Sequence, residues 1–311
     1  MAPAIEQNRL KAALLAMLAV GLSCIQDALV KGVSGELPAY EAVVVRTLTS
    51  LPMLYGYLWL RERQTKIWPE NIGLILARSF ILCGGYFCFV LSLAALPIAT
   101  SVSIYFTMPF FVAALAGWAL GERVKAYRWA AITAGFIGVL IMVRPGADTF
   151  EPAAILALAS AFLYALGQMM GRKASQSSSP AIIATWQTII YLAVGLGIGL
   201  LAPLFAGMAG DSKVLNFLLR PWVMPDLTQF FILLGMGVLG TLGSVIFVAA
   251  YKIAEANFVA PFEYTALLWA VINGIIFFGD FPDLYTMTGA AIVILAGLWM
   301  LRRDLATTAK T

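Results

Sequence analysis

The sequence predicts an all-α integral membrane protein with ten transmembrane helices, arranged as two inverted five-helix repeats. Of its 311 residues, 61% are hydrophobic and 12% are charged, whereas a soluble domain has about 45–50% apolar and about 25% charged residues. The apolar residues fall into ten segments, each long enough to cross about 30 Å of hydrocarbon as a helix. In addition, the end of the first half of the chain is repeated at the end of the second.

This repeat is clearest in two apolar hairpins, residues 96–144 and residues 254–302. Each hairpin is interrupted by a glycine followed by an acidic residue, which is Glu122 in the first and Asp280 in the second. A unit of five crossings is odd, so the second copy must lie upside down relative to the first. Two inverted halves around a site near the bilayer midplane are typical of secondary transporters.

The repeats are predicted at 1–147 and 148–311. The first span follows Arg9 and Lys11 and is too long for the apolar region of a cleavable signal peptide, so we expect it to stay in the protein. Prolines stand between most of the spans, where their missing N–H has little effect on a helix. The longest loop, about 205–227, is expected along the membrane surface. The predicted spans are 10–31, 39–60, 71–94, 98–119, 126–143, 152–174, 181–204, 228–252, 257–279 and 284–301.

Lysine and arginine are unevenly divided between the two sides of these spans. One side holds only Lys31, Arg144, Lys213 and Arg220, and most of the other basic residues lie on the opposite side. Cytoplasmic loops carry the excess of positive charge. We therefore expect both termini in the cytoplasm and the protein in the bacterial inner membrane, in contact with lipid.

Composition also excludes several kinds of site. The chain has no histidine, so no imidazole can act as a metal ligand, proton relay or catalytic base. Cys24, Cys83 and Cys88 lie inside apolar segments and are expected to be small packed side chains. The basic residues follow the loops and form no nucleic-acid patch. We expect no metal, no cofactor and no nucleic-acid partner.

Ionisable residues inside spans are the most informative polar positions, because one facing lipid costs roughly 2.5 kcal/mol or more. Arg46, Arg78 and Glu263 are expected to face the interior, and by depth Arg78 and Glu263 could meet. They are interpreted either as structural ion pairs or as gating or ion-coupling residues. Asp27, four residues before Lys31, is a further gating candidate in an expected cluster at the outer mouth that includes Glu41; a salt bridge at the helix end is the simpler interpretation.

Amides and aromatic residues inside spans supply the candidate substrate site. Buried amides need partners and so face other helices, and interior aromatic rings suit an apolar pocket, although helix contacts and core packing would explain each one singly. Pro109 and Pro261 lie inside spans and should kink or break them as hinges. The candidate substrate-binding residues are Gln26, Tyr86, Tyr105, Tyr164, Gln168, Trp186, Gln187, Glu263, Trp269 and Asn273.

Several short stretches, spread over essentially the whole chain, form a distinctive pattern. They are residues 93–101, Pro109, residues 120–123, residues 138–146, Tyr251-Lys252, residues 261–264, residues 279–282 and Gly289. In these stretches the chain resembles the drug/metabolite transporter (DMT) superfamily, specifically its ten-helix EamA-type members. The resemblance implies two inverted repeats around a central cavity that opens to either side in turn. Family members usually carry glutamate where this chain has Asp280, and often a basic residue where it has Ala94.

The leading functional hypothesis is a secondary active transporter that moves a small polar, amino-acid-like metabolite by efflux. The alternatives with the same fold are a riboflavin, S-adenosylmethionine or nucleoside transporter. An integral-membrane enzyme is a distant alternative, because the chain has no histidine and no paired carboxylates inside spans. Protons are one candidate coupling ion. The sequence leaves monomer and homodimer both open.

Overall fold

The computed structural model confirms an all-helical chain, with no strand among the residues described. These are 2–63, 68–119, 126–144, 151–174, 177–205, 207, 210–253 and 260–308. The helices are α1 (Ala2–Val33), α2 (Ala39–Tyr57), α3 (Ile72–Ala95), α4 (Ile98–Tyr105), α5 (Met108–Ala119), α6 (Ala126–Val143), α7 (Ala153–Ala174), α8 (Pro180–Phe205), α9 (Lys213–Leu219), α10 (Leu227–Ile253), α11 (Thr265–Asn273) and α12 (Leu284–Thr308).

Most of these helices are apolar enough for a membrane. Five are also long enough to cross one by length and composition: they lie in α1, α3, α7, α8 and α10. Shorter apolar stretches lie at Ile98–Val112, Trp129–Val143, Phe262–Phe278 and Leu284–Met300. Helix α2 is in neither group, and it carries both Glu41 and Arg46. The protein is therefore a multi-pass membrane protein, and its second span carries two charged residues.

Two spans that occupy equivalent places in the halves are irregular. The fourth span is divided into α4 and α5, and Pro109 is the second residue of α5, where a proline fits a helix. The ninth begins with a 3₁₀ helix at Ala260–Tyr264, which contains Pro261, and ends with a π-helix at Gly274–Phe278. Breaks near both prolines match the sequence analysis, and their role as hinges stays a prediction.

The inverted arrangement is visible in helices α6 and α12, the fifth span of each half. Arg144, at the end of α6, donates to Asp283, immediately before α12 begins. One and a half turns further into both helices, Gly138 faces Gly289, and a Cβ on Gly138 would lie 2.8 Å from the Gly289 carbonyl oxygen. The two helices therefore run antiparallel in close contact.

The same relation holds between α2 and α8, the second span of each half. Gly199 lies against the ring of Tyr40 and Gly195 against Val44, so these helices also run in opposite directions. The other contacts are paired in the same way: α1 packs on α10 in the second half, and the equivalent α7 packs on α3 in the first. This packing matches two inverted repeats; the boundaries at 1–147 and 148–311 stay a prediction.

The segment around 205–227 differs from expectation. It contains the short helix α9, which is capped by the Ser212 hydroxyl and packs on α2, α3 and α8. Phe217 of α9 is fully buried in the same core as residues of α2 and α3. A segment predicted to be a surface loop is therefore fastened to the bundle by a core aromatic ring.

Candidate functional site

A cavity of about 690 Å³ lies between the two halves. Its walls come from helices of both repeats, and its volume is within the roughly 300–1,000 Å³ of small-molecule sites. The structure brings most of the candidate residues to this one cavity. Those that line it are Gln26, Asp27, Arg46, Tyr86, Tyr105, Tyr164, Gln168, Gln187 and Glu263.

Aromatic rings form much of the cavity wall. Tyr105 and Tyr164 meet edge to face with ring centroids 5.3 Å apart, and Tyr86 lies 5.5 Å from Tyr191. Tyr264, whose ring packs 5.1 Å from Phe106, continues the wall into the second half. Such rings offer flat apolar surface, and each tyrosine adds a hydroxyl that can bond a ligand.

Arg46, on α2, is the one cation among the described residues that line the cavity. Its guanidinium lies 4.3 Å from the ring centroid of Tyr86 and 5.9 Å from that of Tyr191. These cation–π contacts hold the group in place without using its N–H donors. Within the described ranges, no hydrogen bond or ion pair involves the Arg46 side chain, so its donors are available to a ligand.

Asp27, on α1, is one of two carboxylates in the part of the lining that the structure describes. It interacts electrostatically with Arg46, yet the described part of the chain gives it neither a hydrogen bond nor a direct ion pair. From the sequence, Asp27 was expected at the outer mouth and Glu263 in the interior of the bundle. The expectation for Asp27 was wrong, because its side chain lines the cavity together with Glu263.

A chain of hydrogen bonds orients Gln187, on α8. Its Oε1 accepts from Arg78 Nη1 at 2.9 Å, and its Nε2 donates to the Tyr191 hydroxyl at 3.4 Å. The Tyr191 hydroxyl in turn donates to the Leu82 carbonyl at 2.9 Å. Arg78 lies outside the cavity lining and contacts it through its hydrogen bond to Gln187.

Three other candidates do not reach the cavity. Trp186 packs edge to face on Trp68, with centroids 5.4 Å apart. The indole of Trp269 lies against Gly21 on α1. Asn273 is buried, and its amide nitrogen has no partner among the described residues. None of the three is part of the cavity lining in the ranges that the structure describes.

The expected cluster of Asp27, Lys31 and Glu41 does not form. Lys31 Nζ instead bonds Asp280 Oδ2 of the second half at 2.6 Å and the Leu96 carbonyl at 3.2 Å. Glu41 is fully buried and accepts a hydrogen bond from the backbone N–H of residue 223 at 3.2 Å. The three side chains do not meet, because Lys31 and Glu41 have separate partners and Asp27 lines the cavity.

Further polar pairs join the halves beside Lys31. We call this end of the molecule the Lys31 rim, defined by Lys31, Glu36, Arg144, Gln229, Asp280 and Asp283. Arg144 Nη2 bonds Asp283 Oδ2 at 2.5 Å, and Gln229 Nε2 donates to Glu36. Hydrogen bonds from Thr286, together with the nearby Arg144, hold the pKa of Asp283 below its ordinary value. Each pair has one member in each repeat.

Several residues of the cavity lining were not predicted from the sequence. Tyr191 lies four residues after Gln187, so the two share a helix face, and this spacing could have identified it. Phe89 and Phe247 both line the cavity and stand 158 residues apart, at the spacing of the two glycine–acidic steps. Glu122, the partner position of Asp280 in that repeat, lies outside the described residues.

The chain is similar in sequence to known transporters and in fold to a solved structure. A riboflavin transporter of Rhizobium johnstonii is 31% identical over 258 residues, which cover 83% of this chain and 78% of that protein. An S-adenosylmethionine uptake transporter of Rickettsia bellii is 24% identical over 285 residues, or 92% and 91%. A solved crystal structure of a protein 14% identical has the same fold, with a TM-score of 0.60 over 93% of this chain and 96% of that one.

A protein-family model matches most of the chain. The model of the EamA-like transporter family matches this chain twice, at residues 10–144 and 151–302. The two matches coincide with the two repeats, and they exclude the integral-membrane enzyme considered from the sequence. The chain is a transporter and belongs to the EamA-like transporter family.

Proposed function

We propose that this transporter carries a small metabolite built on a flat aromatic heterocycle, with riboflavin as the first candidate. Alternating access of the cavity to the two sides of the bacterial inner membrane moves the substrate, and both termini lie in the cytoplasm. The observation that carries this proposal is the wall of tyrosine and phenylalanine rings around a cavity with few charges. Flat ring systems stack on such walls, and riboflavin is an uncharged one.

The polar lining suits the rest of such a substrate. Gln26 and Gln168 stand at equivalent places of the repeats, and Thr188, Ser23 and Ser50 add hydroxyls. Amides and hydroxyls can bond a sugar-alcohol chain without requiring it to carry charge. The riboflavin transporter similar to this chain supports the same substrate.

S-adenosylmethionine is the second candidate. Its sulfonium is a cation, and the described lining residues include two carboxylates, Asp27 and Glu263, and one arginine, Arg46. The similar Rickettsia protein supports it at lower identity. The amino-acid-like efflux substrate favoured by the sequence analysis has less support, because the relatives described above are named for riboflavin and S-adenosylmethionine.

Uptake in a riboflavin auxotroph without its own riboflavin transporter tests the substrate. We expect the wild-type chain to restore growth on low riboflavin and to accumulate labelled vitamin. Tyr105→Ala removes a cavity ring and should reduce uptake, whereas Tyr55→Ala removes an exposed ring outside the cavity and should not. Accumulation of labelled S-adenosylmethionine without riboflavin would favour the second candidate and overturn the first.

Glu263 is the proposed proton-coupling residue. If a proton moves with the substrate through this carboxylate, transport into proteoliposomes should change with pH in the wild type. Glu263→Gln cannot release a proton and should give a flat pH profile, with Glu70→Gln, exposed outside the cavity, as the control. A pH profile that is unchanged in Glu263→Gln would remove this role while leaving the substrate proposal intact.

A further inference from the structure

Two opposite charges share the cavity without touching. Asp27 on α1 and Arg46 on α2 attract one another, but no direct ion pair joins them within the described ranges. Neither side chain forms a hydrogen bond there, although the guanidinium is fixed on the rings of Tyr86 and Tyr191. A charged pair that lines a cavity and stays apart leaves space for a ligand group between its members.

The chemistry of the two residues restricts that group. The Asp27 carboxylate only accepts hydrogen bonds and the Arg46 guanidinium only donates them. A plain cation offers nothing to the arginine, and a phosphate or carboxylate offers no donor to the aspartate. The group must present an N–H or O–H donor next to an acceptor, and it lies close to the aromatic ring of Tyr86.

We propose that Asp27 and Arg46 bind the imide edge of a flavin-type substrate. In this edge, which is part of the isoalloxazine ring system, the N3–H lies between two carbonyl oxygens. Asp27 accepts a hydrogen bond from the N3–H, and Arg46 donates one to a neighbouring carbonyl oxygen. Both hydrogen bonds lie in the plane of the ring. The proposal rests on the proposed flavin-type substrate and names the atoms that the cavity recognises.

A zwitterion such as an amino acid also carries a donor and an acceptor. It would bring two full charges into a cavity walled largely by aromatic rings, and burying charges requires more compensation than burying a neutral imide. The neutral edge is therefore the better match to this lining. Recognition of a zwitterion by the same two residues is one outcome that the test below detects.

Methylation at N3 of riboflavin tests the proposal without changing the protein. N3-methylriboflavin keeps the rings, the carbonyls and the ribityl chain but loses the donor. Hydrogen bonds to charged groups are worth about 1.5–3 kcal/mol, so we expect the purified wild-type protein to bind it at least about tenfold more weakly than riboflavin. Binding is measured by quenching of flavin fluorescence.

Two cavity variants and one matched control complete the test. Asp27→Ala should bind riboflavin and N3-methylriboflavin equally, because the group that distinguishes them is gone. Arg46→Ala should weaken both ligands and keep the preference for riboflavin. Asp211→Ala, an exposed aspartate outside the cavity, should behave as the wild type.

The outcomes separate this inference from the proposed function. Equal binding of both flavins by the wild type, or an undiminished preference in Asp27→Ala, would overturn the inference and leave riboflavin as the substrate. Competition by an amino acid that is lost in both cavity variants would show that the pair binds a zwitterion. Absence of riboflavin binding and transport would overturn the proposed function itself.

Discussion

In the part of the chain that the structure describes, charged side chains are paired at the Lys31 rim, whereas two charged side chains in the cavity are not. At the rim, Lys31 and Arg144 of the first half each bond an aspartate of the second half at 2.6 and 2.5 Å. In the cavity, Asp27 and Arg46 belong to the same half and, among the described residues, have no direct polar partner. The rim charges are therefore paired across the halves, and we propose that the two cavity charges serve to bind a substrate.

This difference can be explained by the free energy of leaving a charged side chain without a partner inside the bilayer. A charge inside the bilayer needs a partner, water or a ligand, and a structural role would supply a protein partner. Within the described ranges, Asp27 and Arg46 have no hydrogen-bonding or ion-pair partner, and they border a cavity that can hold water or a ligand. We therefore propose that the cavity binds the substrate and that the rim holds the halves together, and substitutions can test each proposal.

The largest effect is expected at Arg46. Arg46→Ala removes the donors and the cation of the cavity, and the loss of a charge-assisted hydrogen bond is worth about 1.5–3 kcal/mol. We expect transport to fall by about 100-fold with little change in the unfolding temperature. Initial rates in proteoliposomes measure this, with exposed Arg302→Ala as the control. Normal transport by Arg46→Ala would end the binding assignment.

A smaller effect is expected at the rim, on rate rather than binding. Asp280→Lys places two lysines side by side in place of the Lys31–Asp280 pair, and we expect transport to slow by about tenfold, equivalent to about 1.4 kcal/mol. Exchanging the charges in the double variant Lys31→Asp/Asp280→Lys should restore most of the rate. A double variant no better than the single one would show that the pair contributes nothing.

The next largest effect is expected from a substitution where the two halves pack closely. A Cβ on Gly289 would collide with the Gly138 carbonyl oxygen and with Met142. Overpacking costs about 1–3 kcal/mol, so Gly289→Ala should lower the thermal unfolding temperature in detergent. Gly197 has open space around its Cβ position, and Gly197→Ala should be neutral or stabilising. Equal effects of the two variants would argue against the close α6–α12 contact.

The smallest effect concerns the pH dependence of the rim. Because the pKa of Asp283 is lowered in the folded protein, its contribution to stability is present above the unfolded value of about 3.9 and is lost as pH falls through the folded pKa. Asp283→Asn should therefore be slightly less stable than the wild type at pH 7, and the difference should shrink in strong acid. Unfolding temperatures over this pH range measure it. A difference independent of pH would contradict the assignment.

Most of the fold could be predicted from the sequence, because lipid leaves the backbone few alternatives to the helix. The ten apolar segments appear as helices, and the breaks near Pro109 and Pro261 occur in the expected spans. Helix α9 was not predicted, since its seven residues are too few to give a clear apolar period. Its burial depends on Phe217, whose partners lie in α2 and α3.

The depth of the candidate site residues along their helices could be predicted from the sequence, but the direction of their side chains could not. Arg46, Gln26 and Gln168 were found because a polar group inside a span needs a reason to be there. Trp186 and Trp269 lie at suitable depth and face neighbouring helices instead, because one residue turns a helix by about 100° and the sequence does not fix its rotation. Contacts between the halves, such as Lys31 with Asp280, need the folded arrangement.

One binding measurement compares the two regions directly. Riboflavin is titrated into the purified wild type, the cavity variant Arg46→Ala and the rim variant Asp280→Asn, with flavin fluorescence as the signal. We expect the wild type and Asp280→Asn to bind with dissociation constants within about twofold, because distant sites contribute independently, and Arg46→Ala to lose most of its affinity. Unchanged binding by Arg46→Ala, or loss of binding in Asp280→Asn alone, would contradict the account. In that account the cavity binds the substrate and the rim only joins the two halves.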